Sequence, residues 1–294
     1  MGKNILGKNK SGINQLKAGA ILSYLSMGLN YIISIAYTPI MLRLLGQSEY
    51  GLYNLVASVV SYLGLLNFGL NSAYVRYYSQ YKVRSEQENI KKLNGMFLIV
   101  FSIIGLIAIF AGTILTSNIR AIFGEKLTIS ELSKAQILMA IMVFNLALSF
   151  PATVFNSYVT ANERYVFQKS LQMIKTIVNP FIILPILLMG YKSVGMVIAT
   201  TILNVTIEIT TAIYCFKRLD MGFLFQNFDF LLMKEMTIFS FYIFLNMIID
   251  QINWNVDKFL LGRFRGTISV AIYGLAAQIN RYYLSLSTAI SSVF

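Results

Sequence analysis

Four stretches of this chain carry no Asp, Glu, Lys or Arg: Ala18–Leu42, Gly51–Val75, Leu93–Ile119 and Ala135–Asn162. Each exceeds the roughly 20 residues that an α-helix needs to cross the hydrocarbon core of a bilayer. Inside that core every backbone N–H and C=O must be paired within the chain, which leaves only helices or a closed barrel. A barrel needs alternating strands of about ten residues, and these runs do not alternate. An all-α integral membrane protein follows. Composition agrees, with 56% hydrophobic and 12% charged residues, where a soluble domain carries about 25% charged.

Four more interrupted spans follow, at about 170–191, 193–216, 236–261 and 267–294, giving eight spans joined by short loops. The basic stretch Met1–Lys17 precedes an apolar run too long for a cleavable signal, whose apolar region is only ~7–15 residues, so the first span is retained. With the N-terminus inside, fifteen basic residues fall at cytoplasmic ends: Lys3, Lys8, Lys10, Lys17, Arg76, Lys82, Arg84, Lys91, Lys92, Arg164, Lys169, Lys175, Lys217, Arg218 and Lys234. Eight fall outside: Arg43, Arg120, Lys126, Lys134, Lys192, Lys258, Arg263 and Arg265. That asymmetry is the positive-inside bias, and it accounts for the net charge of +12 without nucleic acid. Lys82–Lys92 and Lys217–Arg218 are expected in the cytoplasm, and Ser48–Glu49 and Glu125–Lys126 outside. The loop Arg76–Lys92 reads as a topology anchor that can also meet anionic lipid headgroups. A single cysteine and no histidine exclude internal disulfides and His-based metal sites or general bases; no cofactor is expected.

The chain also repeats itself. Leu29–Gly46, "LNYIISIAYTPIMLRLLG", aligns without a gap on Leu245–Gly262, "LNMIIDQINWNVDKFLLG". Tyr53 then matches Tyr273 if the second turn is four residues longer. Both copies start in the cytoplasm, so the repeat is parallel with a six-helix period, an arrangement that places transporter substrate sites between the halves. Residues 1–220 are expected to form a six-helix N-terminal bundle, and 221–294 the first two helices of a second bundle in a longer natural protein.

Polar residues fall on one face per span. The seventh carries Asn246, Asp250, Asn253 and Asp257; the eighth carries Gly274, Gln278, Arg281, Ser285 and Thr288. The first offers Ser23, Ser26, Asn30, Ser34 and Tyr37; the second, Asn54, Ser58, Ser61, Ser72 and Arg76; the sixth, Thr201, Asn204, Glu208 and Thr211. A charge at the bilayer centre costs ~2.5–3.5 kcal/mol on insertion scales, so Asp250, Glu208 and Arg281 must face one another or water. Two readings stand: interhelical glue, including an Asp250–Arg281 ion pair, or a substrate pathway. On the second, Arg281, Gln278, Asn30, Ser61 and Arg76 bind substrate, while Asp250, Asp257 and Glu208 couple transport to H⁺ or Na⁺. Arg281 lies ~21 Å into its span at 1.5 Å per residue, in the cytoplasmic half. The four prolines, Pro39, Pro151, Pro180 and Pro185, all lie in or beside spans and permit bends.

"LLGQSEYGLYNL" at the first outer turn, "NFGLNSAYVRYY" closing the second span, "ANERY" after the fourth, and "DKFLLGRF…VAIYGLAAQI" at the seventh and eighth resemble the oligosaccharide flippases. These form the polysaccharide-transporter branch of the multidrug/oligosaccharidyl-lipid/polysaccharide exporter superfamily, which includes the O-antigen and capsule flippases. The resemblance covers essentially the whole chain. It implies a multi-pass plasma-membrane transporter that moves undecaprenyl-pyrophosphate-linked oligosaccharides outward for O-antigen, capsule or exopolysaccharide synthesis by alternating access. It further implies 12–14 helices around a cationic cavity, where this chain has about eight. Membrane lipids and polysaccharide polymerase machinery are the implied partners. The competing readings are a multidrug cation extruder, whose cavity should hold more acids than bases, and a membrane-embedded glycan-synthesis enzyme, which the short loops disfavour.

Overall fold

A computed structural model describes residues 3–226 and 228–291, and among them there are helices and turns but no strand. The helices are α1 (Lys3–Leu45), α2 (Gln47–Leu63), α3 (Leu70–Val83), α4 (Gln87–Ser117), α5 (Ile119–Phe123), α6 (Ile129–Ala161), α7 (Tyr165–Leu188), α8 (Lys192–Leu219), α9 (Phe230–Arg265) and α10 (Thr267–Ser291). Seven segments of the described residues are long and apolar enough to cross a membrane, with α2 and α3 counted together. The expectations for Ser285, Thr288, Glu125 and the N-terminal lysines fall outside the described side chains.

The second span is broken where the sequence suggested one run. A 3-10 turn at Gly64–Asn67 and left-handed Phe68 and Gly69 separate α2 from α3. Elsewhere boundaries move by several residues: α7 begins at Tyr165 and α9 at Phe230. Thr128 starts α6 with a reciprocal capping box to Glu131, which satisfies the orphan N–H groups of that helix end. All four prolines sit inside α1, α6 and α7.

The apolar side chains sort by solvent. Exposed Ile103, Leu106, Ile107, Phe110 and Ile114 make one stripe along α4, at the three- and four-residue spacing of a single helix face, and face lipid. The interior of the chain holds two layers: Tyr74, Phe97, Phe101, Phe150 and Met236 towards one end, and Leu52, Leu55, Phe123, Leu138 and Met139 towards the other. α4 and α6 approach closely because Gly105 and Gly112 face Ala147 and Val143, the small-residue contact that packs membrane helices. A ring of helices results: α1 lies on α2 and α7, α7 on α8, α8 on α6, and α6 on α2 and α3.

The two segments aligned in the sequence break at glycines in a different register. α1 ends at Gly46 (φ 84°, ψ 159°) and α9 at Gly266 (φ 83°, ψ −178°), the same glycine-requiring break. The matching turn residues are therefore Gly46 and Gly266, not Gly46 and Gly262. The offset is the one between Tyr53 and Tyr273, so the second turn carries no extra residues. Arg43/Arg263 and Tyr62/Tyr282 fall into line, Asn30 corresponds to Asp250, and Ser61 to Arg281. Gly262 sits instead inside α9, where any Cβ would strike Leu55 of α2.

At one end of the bundle, polar clasps tie the helices together. Glu49 of α2 accepts from Lys134 of α6 and Ser193 of α8. Glu131 of α6 accepts from Ser48 of α2 (2.6 Å) and Thr267 of α10 (2.9 Å). Arg263 donates to the carbonyls of Ala121 and Ile122, both at 2.7 Å, where cations suit the partial negative charge of a helix end.

A polar lumen as the candidate substrate site

Three cavities are lined by helices of the ring, and polar side chains converge on them. The central cavity, about 470 Å³, is lined by Asn30 of α1, Gln172, Lys175 and Asn179 of α7, and Gln278 of α10. Tyr53 and Thr200 connect it to a second cavity of about 280 Å³ holding Ser61, Asn145, Ser149 and Asn204. A third, about 550 Å³, lies towards the other ends of α3, α6 and α7 and holds Asn71, Ser72, Thr153, Asn156, Thr160 and Gln168. Each falls near or within the roughly 300–1,000 Å³ of small-molecule sites.

Lys175 is the one charged side chain in the lining of the three cavities. It stands ten residues into α7, ~15 Å at 1.5 Å per residue, so it is not the cytoplasmic-end lysine of the charge count. Its partner in charge is Glu208 of α8, electrostatically coupled to it. The ion pairs among the described residues are Glu88–Lys92 and Glu49–Lys134, so no described carboxylate lies within 4 Å of the Lys175 ammonium. Buried oxygens without a hydrogen-bond partner recur through the lumen: the Tyr37 hydroxyl and Asn179 Oδ1 in the central cavity, Asn204 Oδ1 in the second, Asn71 Oδ1 in the third. An unpaired buried polar group costs ~1–3 kcal/mol, which water or a ligand relieves.

The residues expected in the site are only partly gathered here. Asn30 faces the central cavity and accepts from Ser34 at 3.2 Å. Gln278 crosses it, donating to Thr38 (3.1 Å) and Tyr282 and accepting from Tyr50 (3.5 Å), and so ties α10 to α1 and α2. Ser61 lines the second cavity and accepts from Gln251 of α9. Arg76 lies outside all three; its guanidinium rests 4.5 Å above the Phe239 ring. Arg281 also lies outside, exposed, with its guanidinium 5.0 Å from the centre of the Trp254 ring. The expected Asp250–Arg281 ion pair is not formed; the Arg281 guanidinium lies over the Trp254 ring instead, one turn further along α9. Asp250 is exposed, and Asp257 accepts from Tyr273 of α10. Among the described residues no three acidic, cysteine or histidine side chains converge to hold a metal.

Two lumen features escaped the sequence reading. One is Lys175; the other is a ladder on α6, Asn145, Ser149, Thr153, Asn156 and Thr160, at helical spacing down one face. Its signal was present as a four- and three-residue period, inside a run noticed only for lacking charge.

Comparison with known proteins agrees with the architecture. A family profile described as "Polysaccharide biosynthesis protein" matches residues 16–294. No curated protein sequence matches. Two solved chains share the fold at 15% identity, each over 92% of this chain: one named "protein A", TM-score 0.75, and one described as the MATE multidrug transporter DinF-BH, TM-score 0.70. This chain spans 61% of the length of each.

Proposed function

The chain belongs to the polysaccharide biosynthesis protein family, a multi-pass membrane protein, and from that premise we propose that it is a flippase for lipid-linked oligosaccharides. The substrate class is undecaprenyl pyrophosphate bearing a glycan, moved from the cytoplasmic to the outer leaflet of the plasma membrane. One observation carries the proposal: the lumen has a single charged lining residue, Lys175, among amides and hydroxyls. A desolvated ammonium draws an anion, and hydroxyls and amides exchange hydrogen bonds with sugars. A pyrophosphate bearing a glycan presents both chemistries together, while its polyprenyl tail remains in lipid.

A cation extruder is the second reading, and the acids Asp250 and Asp257 on α9 speak for it. Both are exposed and neither lines the lumen. On the flippase reading one of them, Asp250 first, binds H⁺ or Na⁺ during alternating access, and Arg281 of α10 meets the pyrophosphate only in passing, on its way to Lys175. Moving Lys175 into the lumen leaves fourteen basic residues against eight, which still favours a cytoplasmic N-terminus. Delivered glycans would pass to a polymerase.

The experiment is transfer of a fluorescent undecaprenyl-pyrophosphate glycan across liposomes holding the protein. Transfer that Lys175→Gln slows is the expected result. A lipid that keeps its leaflet, with cells that expel cationic dyes, gives the extruder reading.

A further inference from the structure

The lumen is not uniform, and its third cavity has a chemistry of its own. Around it two threonine hydroxyls bond their own helix, and Ser72 and Ser157 add two further hydroxyls. Thr153 donates to the Ser149 carbonyl at 2.8 Å and Thr160 to that of Asn156 at 2.9 Å; the Asn156 amide also leans on its own helix, at 3.4 Å from the Ala152 carbonyl. The two threonines turn lone pairs into the cavity, and the amides of Asn71, Asn156 and Gln168 bring acceptors and donors together. Asn71 adds a buried amide oxygen with no partner. Cation and carboxylate are both missing from the lining residues.

A polar space without charge gives phosphate no counter-ion and suits neutral groups that exchange hydrogen bonds. Without an anion it also has little hold on a cation. We infer that this cavity is a subsite for uncharged sugar rings, which donate hydroxyl and N-acetyl N–H hydrogens to Asn71, Thr153, Asn156 and Thr160. The inference rests on the flippase reading and divides the lumen in two.

Helix α7 supplies the spacing between the two parts. Gln168 and Lys175 are seven residues apart and nearly coincide on one helix face, ~10 Å along the axis. A pyrophosphate at Lys175 therefore leaves its first sugars beside Gln168. That side chain bonds Thr160 across the mouth of the cavity at 3.3 Å and has to give way as a ring enters. The subsite senses sugars by their hydrogen bonding, not by charge.

The test is native mass spectrometry of the detergent-solubilised protein with two probes: undecaprenyl pyrophosphate, and the same lipid bearing one N-acetylglucosamine. The wild type should bind the glycosylated probe about tenfold more tightly, as two or three neutral hydrogen bonds provide. Thr153→Val with Asn156→Leu on α6, and separately Asn71→Leu on α3, should bring the two affinities together without changing that of the bare lipid. Thr153→Ser, which keeps the acceptor, should retain the difference. Equal wild-type affinities overturn the subsite alone, and so do variants that weaken both probes alike. If the wild type binds neither probe, the flippase reading falls and the subsite with it.

Discussion

The lumen and the outward face of α9 are built from the same residue types and hold them in opposite circumstances. In the lumen, amides, hydroxyls and Lys175 are enclosed by five helices, and several oxygens are buried without partners. On α9, Asn246, Asp250, Asn253 and Asp257 form an equally regular stripe, yet all four are exposed. They lie roughly 100° round the helix from Met236, Ser240 and Gly262, the residues it buries. Periodicity says which polar groups share a face; the neighbouring helices say whether that face is a site. The lumen has such neighbours on every side, whereas the α9 stripe meets only Tyr273 of α10, at Asp257.

The sharpest way to break that contrast is to move charge in both regions. Lys175→Gln alone leaves Glu208 half-buried without its cation, so the double variant Lys175→Gln, Glu208→Gln is the cleaner probe. It should weaken binding of undecaprenyl pyrophosphate on the order of tenfold to a hundredfold, the value of a charge-assisted contact. Arg281→Gln should change the same affinity less than about threefold, as expected of an exposed charge. The opposite order in a titration would move the anion site to α10.

Packing gives the next effect. A Cβ on Gly51 would fall 1.9 Å from the Thr267 carbonyl oxygen, whereas one on Gly28 meets nothing within 4 Å. Gly51→Ala should cost ~1–3 kcal/mol through overpacking, while Gly28→Ala should gain ~0.5–1 kcal/mol. Thermal unfolding in detergent compares them. Equal melting temperatures would mean that α10 moves off α2 freely, and that Gln278 does not close the central cavity.

How far the sequence foretold these two regions follows from what each signal measures. Absence of charge located the spans, because it reports the solvent directly. The stripes of α1, α2 and α8 were readable for the same reason, and Asn30, Ser61 and Gln278 do line cavities. Lys175 was assigned to a helix end because α7 starts at Tyr165, several residues before the apolar run becomes evident; the period Gln168, Gln172, Lys175, Asn179 would have marked it. Arg281 was given the wrong neighbour. Depth follows from counting along one helix, whereas its contact with Trp254 depends on how α10 rotates against α9. No single-helix pattern contains that angle.

A smaller effect reports on that contact. The chain has one tryptophan, so its emission is a probe of Trp254 alone. Arg281→Gln removes a cation–π contact worth ~0.5–1 kcal/mol at an exposed site and should shift the emission. Adding undecaprenyl pyrophosphate to the wild type should leave emission nearly unchanged, since the lipid goes to Lys175. A lipid-dependent shift that Arg281→Gln abolishes would make Arg281 part of the anion site.

The smallest expected change in folding belongs to Asp250→Asn, and it bears on the α9 stripe most directly. Had Asp250 held α9 to α10 through Arg281, its removal would have left a buried cation unpaired and reduced the yield of folded protein. The structure gives it no such ion pair and leaves it exposed. Stability should therefore change by no more than about 0.5 kcal/mol, the usual range for surface substitutions. Transport is where the variant should differ. An acid that binds H⁺ or Na⁺ loses that capacity as an amide, whereas its volume and most of its hydrogen bonding persist. Liposome transfer should then continue down the lipid gradient but no longer respond to an imposed ion gradient. Asp257→Asn, which weakens the contact with Tyr273, should alter the response less. If Asp250→Asn retains full gradient dependence, the stripe has no part in coupling, and the exposed acids of α9 serve only to meet whatever packs on that face.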